Sequence, residues 1–135
     1  MPSVAITIQA QFYDVDPMNV VWHGHYARFL EQARCELLEQ IGYNYAQMGE
    51  SGYLWPIVEM RIKYVRPIRF RQEVVVSATV KEFENRLRID YRILDKTSGE
   101  VLTKASTSQV AVHAKTGELC LESPAVLVEK LRRIA

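Results

Sequence analysis

The sequence predicts one α+β domain in which a single long helix lies across an antiparallel sheet. Three observations carry the expectation. A stretch of helical periodicity runs from Gly24 to Ile41, four extended segments then follow with hairpin-type turns among them, and no repeat, low-complexity stretch or linker divides the 135 residues. A chain of this length is most economically one domain, residues 1–135, and can bury a hydrophobic core.

Val4 to Ala10 alternates as a strand does. A turn comes next. Pro17 fixes its own φ and biases Asp16 toward an extended conformation, and Asn19 tolerates unusual backbone angles. From Gly24 onward Tyr26, Phe29, Leu30, Ala33, Leu37 and Ile41 recur at three- and four-residue intervals, which leaves Arg28, Gln32, Glu36 and Glu39 largely on the other side. Gly42 ends the run. A short helix is expected around Tyr45 to Gly49, followed by extended segments Trp55–Val65, Glu73–Phe83, Leu87–Leu94 and Val101–His113. The third is the clearest, because Leu87, Ile89, Tyr91 and Ile93 alternate with Arg88, Asp90 and Arg92. Glu84-Asn85, Asp95 to Gly99 and Lys115 to Gly117 read as tight connections, and Pro124 to Arg133 as a terminal helix. One helix of about 18 residues is about 27 Å long, enough to cross such a sheet but not to cover both edges. The uncovered edge strand and apolar surface predict association, most simply a two-fold dimer.

Composition narrows the function. With 48% hydrophobic and 24% charged residues and a formal net charge of +1, the chain has no general electrostatic reason to bind nucleic acid, so any anion site must be local. Cys35 and Cys120 form no disulfide framework and suit a reducing compartment. The first residues lack a basic stretch followed by an apolar core, and no run approaches membrane-spanning length; the expected location is the cytoplasm. No metal site is expected: beyond His23 and His25 only His113 remains, and the carboxylates lack ligand-like spacing. Ser106, Thr107 and Ser108 fall on a strand without a nucleophile elbow, which argues against a serine hydrolase.

The segment Tyr13 to Tyr26 carries the chemistry. No Ser, Thr, Asp or Asn stands at the expected N-cap of the helix, so the first N–H groups near His23 and Gly24 have no obvious side-chain partner. Those donors and the positive helix end can hold an oxyanion, and Asp16 lies just ahead of them. Taken singly, Asp14 and Asp16 read as turn residues, His23 as a packed histidine, and Tyr13 and Trp55 as core or pocket wall.

Taken together, Tyr13-x-x-Asp16, Val21-Trp22-His23-x-x-Tyr26, Glu31-x-Ala33-Arg34-x-Glu36 and Trp55-Pro56-Ile57-Val58 resemble the hotdog-fold acyl-CoA thioesterases of the 4-hydroxybenzoyl-CoA thioesterase type, including the short-chain acyl-CoA branch. Asn19 departs from the pattern, since relatives often carry glycine there. The resemblance implies a hotdog fold, with an antiparallel sheet wrapped around one central helix, and hydrolysis of an acyl-CoA to free acid and coenzyme A. Asp16 would be the catalytic carboxylate, as nucleophile or as base, and the His23 backbone N–H the oxyanion donor. Tyr13, Asn19, Val21, Trp22, Tyr26 and Trp55 would line the substrate site; Glu31, on the flank of the helix, reads as a solvated-face residue, as an ion-pair partner of Arg34 or as a substrate-side residue. Arg66, Arg69 and Arg71, the one concentrated basic segment, read either as a charged loop or as a landing site for the phosphates of coenzyme A, for which arginine's fork geometry is suited. No cofactor is implied, because coenzyme A belongs to the substrate, and the subunit-shared sites of the family imply a dimer or a homotetramer built as a dimer of dimers. The alternatives are an acyl-carrier-protein thioesterase or dehydratase of the same fold, and a non-catalytic acyl-CoA-binding protein.

Overall fold

The computed structural model describes residues 1–134. Strand β1 (Ser3–Gln9) leads through the site loop and a 3₁₀ turn (His23–His25) into helix α1 (Tyr26–Gln40). A short helix α2 (Tyr45–Glu50) and a two-residue strand β2 (Tyr53–Leu54) precede β3 (Ile57–Tyr64), β4 (Glu73–Glu82), β5 (Leu87–Asp95) and β6 (Val101–Gln109). A second two-residue strand, β7 (Val112–His113), and a terminal helix α3 (Ala125–Ile134) complete the described chain. The five long strands form one antiparallel sheet in the order β1-β4-β5-β6-β3, with β2 and β7 pairing separately.

The inward side chains of β4 and β5 (Val74, Val76, Ala78, Val80, Leu87, Ile89, Tyr91, Ile93) are buried against one face of α1 (Tyr26, Phe29, Leu30, Ala33, Leu37, Leu38). At about 1.5–3 kcal/mol for each fully buried large apolar side chain, this contact is what holds the helix on the sheet. Register shifts at Ile57/Glu59, Val80/Glu82 and Ile93/Leu94 are the bulge-type irregularities that bend strands, and they curve the sheet around the helix. Helix α1 is stopped just past its C-cap Ile41 by Gly42, whose φ of +75° suits a residue without a side chain.

Four expectations need correction. The segment Trp55–Val65 is a strand only over β3, and the segment Val101–His113 divides into β6 and β7, because β7 turns away to pair with β2. Asp14 is no surface turn residue; it is buried at 1% exposure and its carboxylate is paired with Arg28 of α1. Arg34 does not bridge to Glu31. It lies on the buried stripe of α1, where Nε donates to the Tyr45 hydroxyl at 2.9 Å and Nη1 has no protein partner, beside a Tyr91–Thr107 hydrogen bond of 2.7 Å. Burial raises the Tyr91 pKa, so the ring beside Arg34 stays neutral.

Candidate active site

Residues 15–22 form a loop pinned at every turn. Asn19 N–H donates to Asp16 C=O at 2.9 Å, closing a four-residue turn with Pro17 at its second position, and Asp16 N–H donates to Val20 C=O at 2.9 Å. Asn19 adopts φ +63°, the left-handed conformation that asparagine accepts more readily than other residues with a side chain. Asp16 Oδ1 accepts from Met18 N–H at 2.8 Å, which fixes the carboxylate and leaves Oδ2 as the oxygen for chemistry. The loop is tied to the segment ahead of β4 by Val21 N–H donating to Ile68 C=O at 2.7 Å, and it is closed by Trp22 N–H donating to Asp14 C=O at 2.9 Å. Asp14 is therefore a clamp. Its carbonyl holds the far end of the loop, its Oδ2 accepts from Gln11 N–H at 2.8 Å, and its other oxygen is paired with Arg28.

The 3₁₀ turn then delivers the helix. His25 N–H donates to Trp22 C=O and Tyr26 N–H to His23 C=O, so the N–H groups of His23 and Gly24 are the two that the turn leaves over. No side chain caps them. Asp16 and His23 line one pocket of about 300 Å³ with Tyr26, Tyr64 and Arg66, and its apolar wall includes Val20, Val21 and Val65. Burial raises the Tyr26 pKa, so its phenol stays protonated near neutrality. Asp16, an acid with one free oxygen, and His23, whose helix-start amide is unsatisfied, thus line the same small volume.

Comparison with known proteins decides the family. The model for the thioesterase-like superfamily matches residues 10–131. A Synechocystis protein provisionally named an esterase is 31% identical over 130 residues, covering 96% of this chain and 78% of that one. The chain belongs to the thioesterase-like superfamily. A Bacillus subtilis protein provisionally named an acyl-CoA thioesterase is 26% identical over 109 residues, 81% of this chain and 79% of its own. The solved structure of a DHNA-CoA thioesterase from Staphylococcus aureus superposes with a TM-score of 0.81 at 27% identity, covering 90% of this chain and 81% of that one. The curved sheet around α1 is the hotdog fold of those thioesterases.

In this thioesterase the remaining candidate residues fall into groups. Trp22 covers the 3₁₀ turn, its indole lying 5.1 Å from the His23 ring and 5.3 Å from the His25 ring. Tyr13, exposed, stacks under the Arg28 guanidinium 5.6 Å away and so buttresses the Asp14 clamp. Trp55 is not brought to the pocket: it is buried edge-on to Tyr43, with Nε1 donating to the Tyr43 hydroxyl at 3.2 Å. Glu31 lies in a separate groove of about 760 Å³ between α1 and β1, with Ile6, Arg28 and Cys35. Arg66 is paired with Glu100 and shares a groove of about 430 Å³ with Arg69, which borders the Asp16–His23 pocket at Arg66 and Pro67. Arg71 stands apart, with φ +66° and its guanidinium stacked 5.3 Å from the Phe70 ring. Two contributors escaped the sequence reading, the Asp14–Arg28 clamp and Tyr64, whose hydroxyl donates to His23 C=O at 3.1 Å. Among the described residues, no three His, Cys, Asp or Glu side chains are grouped to hold a metal.

Proposed function

We propose that the protein is an acyl-CoA thioesterase in which Asp16 and the His23 turn divide the chemistry. The observation that carries the mechanism is the shared pocket: a carboxylate fixed by Met18 N–H stands with the free N–H of His23 around one volume. The thioester oxygen would accept from His23 N–H, where negative charge develops as the carbonyl carbon becomes tetrahedral. Asp16 Oδ2 either attacks that carbon, giving a mixed anhydride that water then cleaves, or takes a proton from the water that attacks. Both routes expel the coenzyme A thiolate, a good leaving group that needs little acid assistance, and both end in free acid and thiol. Acyl-CoA is favoured as substrate by the names of the Bacillus and Staphylococcus relatives. The test is thiol release, followed with a thiol reagent over a panel of acyl-CoAs. Turnover of at least one acyl-CoA is expected; binding without release would make the protein an acyl-CoA-binding module, and water loss from a 3-hydroxyacyl thioester without release a dehydratase.

Arg66 and Arg69 are the residues we assign to the phosphates, since they alone of the three arginines share a groove that borders the pocket. Arg66 keeps donors free beyond its Glu100 pair, because a guanidinium has five N–H groups. Replacing both with Ala is expected to raise KM for acyl-CoA roughly tenfold, about 1.4 kcal/mol, with kcat little changed. An acyl-pantetheine substrate, lacking the nucleotide, is the control. Equal losses on both substrates would return these arginines to the role of a charged loop.

We also assign the active form to a homo-oligomer working in the cytoplasm. Edge strand β3 leaves Ile57, Val58, Met60 and Tyr64 uncovered, Val58 at 59% exposure, and a long apolar edge of this kind pairs with a second copy unless blocked. Cys35 and Cys120 are both free thiols, as a reducing compartment maintains them. Light scattering at micromolar concentration is expected to give a dimer or tetramer, and Val58→Lys to shift it toward monomer. A fully active wild-type monomer would overturn the assignment.

A further inference from the structure

The peptide that joins His23 to Gly24 is held on its carbonyl side twice. Tyr26 N–H donates to His23 C=O inside the turn, and the Tyr64 hydroxyl, from the edge strand β3, donates to the same oxygen at 3.1 Å. Tyr64 is 41 residues away in sequence and reaches the turn because its ring stands edge-on to Tyr26, 4.7 Å between centroids, on the inner face of the sheet. Trp22 also lies over the turn, through its indole. A carbonyl that accepts two hydrogen bonds draws electron density from its own amide nitrogen, and the N–H at the other end of that peptide becomes a better donor. Here that N–H belongs to Gly24, one of the two that the turn leaves unsatisfied.

We propose that Tyr64 is a positioning residue for catalysis: its hydroxyl fixes and polarises the His23–Gly24 peptide, so that Gly24 N–H joins His23 N–H in holding the thioester oxygen. The inference rests on the reading that the His23 turn is the oxyanion site. Its geometry is set by three elements that meet only in the folded chain, the site loop, the first turn of α1 and the end of β3. In this arrangement the Tyr64 hydroxyl is committed to His23 C=O. Its effect is carried through one peptide plane, and so it belongs to the transition state, where charge reaches the oxygen, more than to substrate binding.

Tyr64→Phe keeps the ring and its packing on Tyr26 and removes the hydroxyl alone. The expected result is a five- to twentyfold loss in kcat for acyl-CoA, KM within about twofold, and an unchanged melting temperature and oligomeric state. A second readout does not depend on turnover. In an Asp16→Asn background, a carbonyl-labelled acyl-CoA bound at saturation is expected to show a lowered carbonyl stretching frequency by isotope-edited infrared difference spectroscopy. Adding Tyr64→Phe should move that frequency back toward the free thioester. The two failures are distinguishable. If Asp16→Asn keeps wild-type turnover, the underlying reading of the site is wrong; if Asp16→Asn is inactive but Tyr64→Phe has wild-type kcat, or leaves the carbonyl frequency where it was, Tyr64 has no positioning role. Should Tyr64→Phe prove too unstable for kinetics, the frequency measured on the bound, ligand-stabilised double variant still decides.

Discussion

Asp16→Asn hydrolyses acyl-CoA at least about a hundredfold more slowly than the wild type, with substrate binding and melting temperature nearly unchanged. The substitution is chosen for what it keeps. Asn Oδ1 can still accept from Met18 N–H, so the turn from Asp16 to Asn19 and the loop beyond it have no reason to move. What is lost is the charge and with it both candidate roles, since an amide neither attacks the carbonyl carbon nor takes a proton from water near neutral pH. The effect should therefore appear in kcat, with KM constant or lower, which is the signature of a group needed in the transition state and not for binding. Thiol release measures the rate, and calorimetric titration with acyl-CoA measures the binding. If the variant retained more than a tenth of the wild-type rate, less than about 1.4 kcal/mol would depend on the carboxylate and the assignment of Asp16 would fail.

Asp14 and Asp16 stand two residues apart in one motif and have opposite fates, and the difference shows where sequence reading stops. Asp16 is legible because its neighbours declare the turn: Pro17 sets one dihedral, Asn19 takes the left-handed one, and the helical period begins just after. Asp14 is buried because Arg28 comes back over it once α1 is docked, a pairing across 14 residues that no local pattern announces. Arg34 offers a middle case. Its spacing of four from Leu30 and three from Leu37 puts it on the apolar stripe although its charge favours solvent; the helix obeys the period, and the guanidinium is met by tyrosines. Tyr64 and the edge strand follow the same division. The strand itself could be read from its residues, while the hydroxyl's reach to His23 C=O depends on how far the sheet curls toward the helix, a property of bulges and register. Periodicity and turn chemistry are local and survive in the sequence; contacts between the loop, the helix and the far edge of the sheet are made only by the fold.

Gly24→Ala tests the other half of the site, and a loss in kcat on the order of a hundredfold is expected. Gly24 does not have the positive φ that would make alanine strained for its backbone alone. The obstacle is steric: a Cβ at this position would lie 2.7 Å from Trp22 Cε3 and closer still to the far atoms of the ring. Something has to move. The indole packs against the His23 and His25 rings, so relief comes at the cost of that packing or by displacement of the 3₁₀ turn that carries the His23 and Gly24 N–H groups. A donor moved by about 1 Å from the developing oxyanion is enough for a loss of this size. Trp22→Ala in the same chain removes the colliding ring, and the double variant is expected to recover part of the rate lost by Gly24→Ala alone. A thermodynamic cycle over the two positions then reports the collision directly, because independent effects would add and a shared clash would not. If Gly24→Ala keeps the wild-type rate, the indole yields freely and the turn is not held by it. If instead the double variant loses the product of the two single losses, the alanine harms the oxyanion turn by a route other than Trp22, and the packing argument for this glycine is wrong.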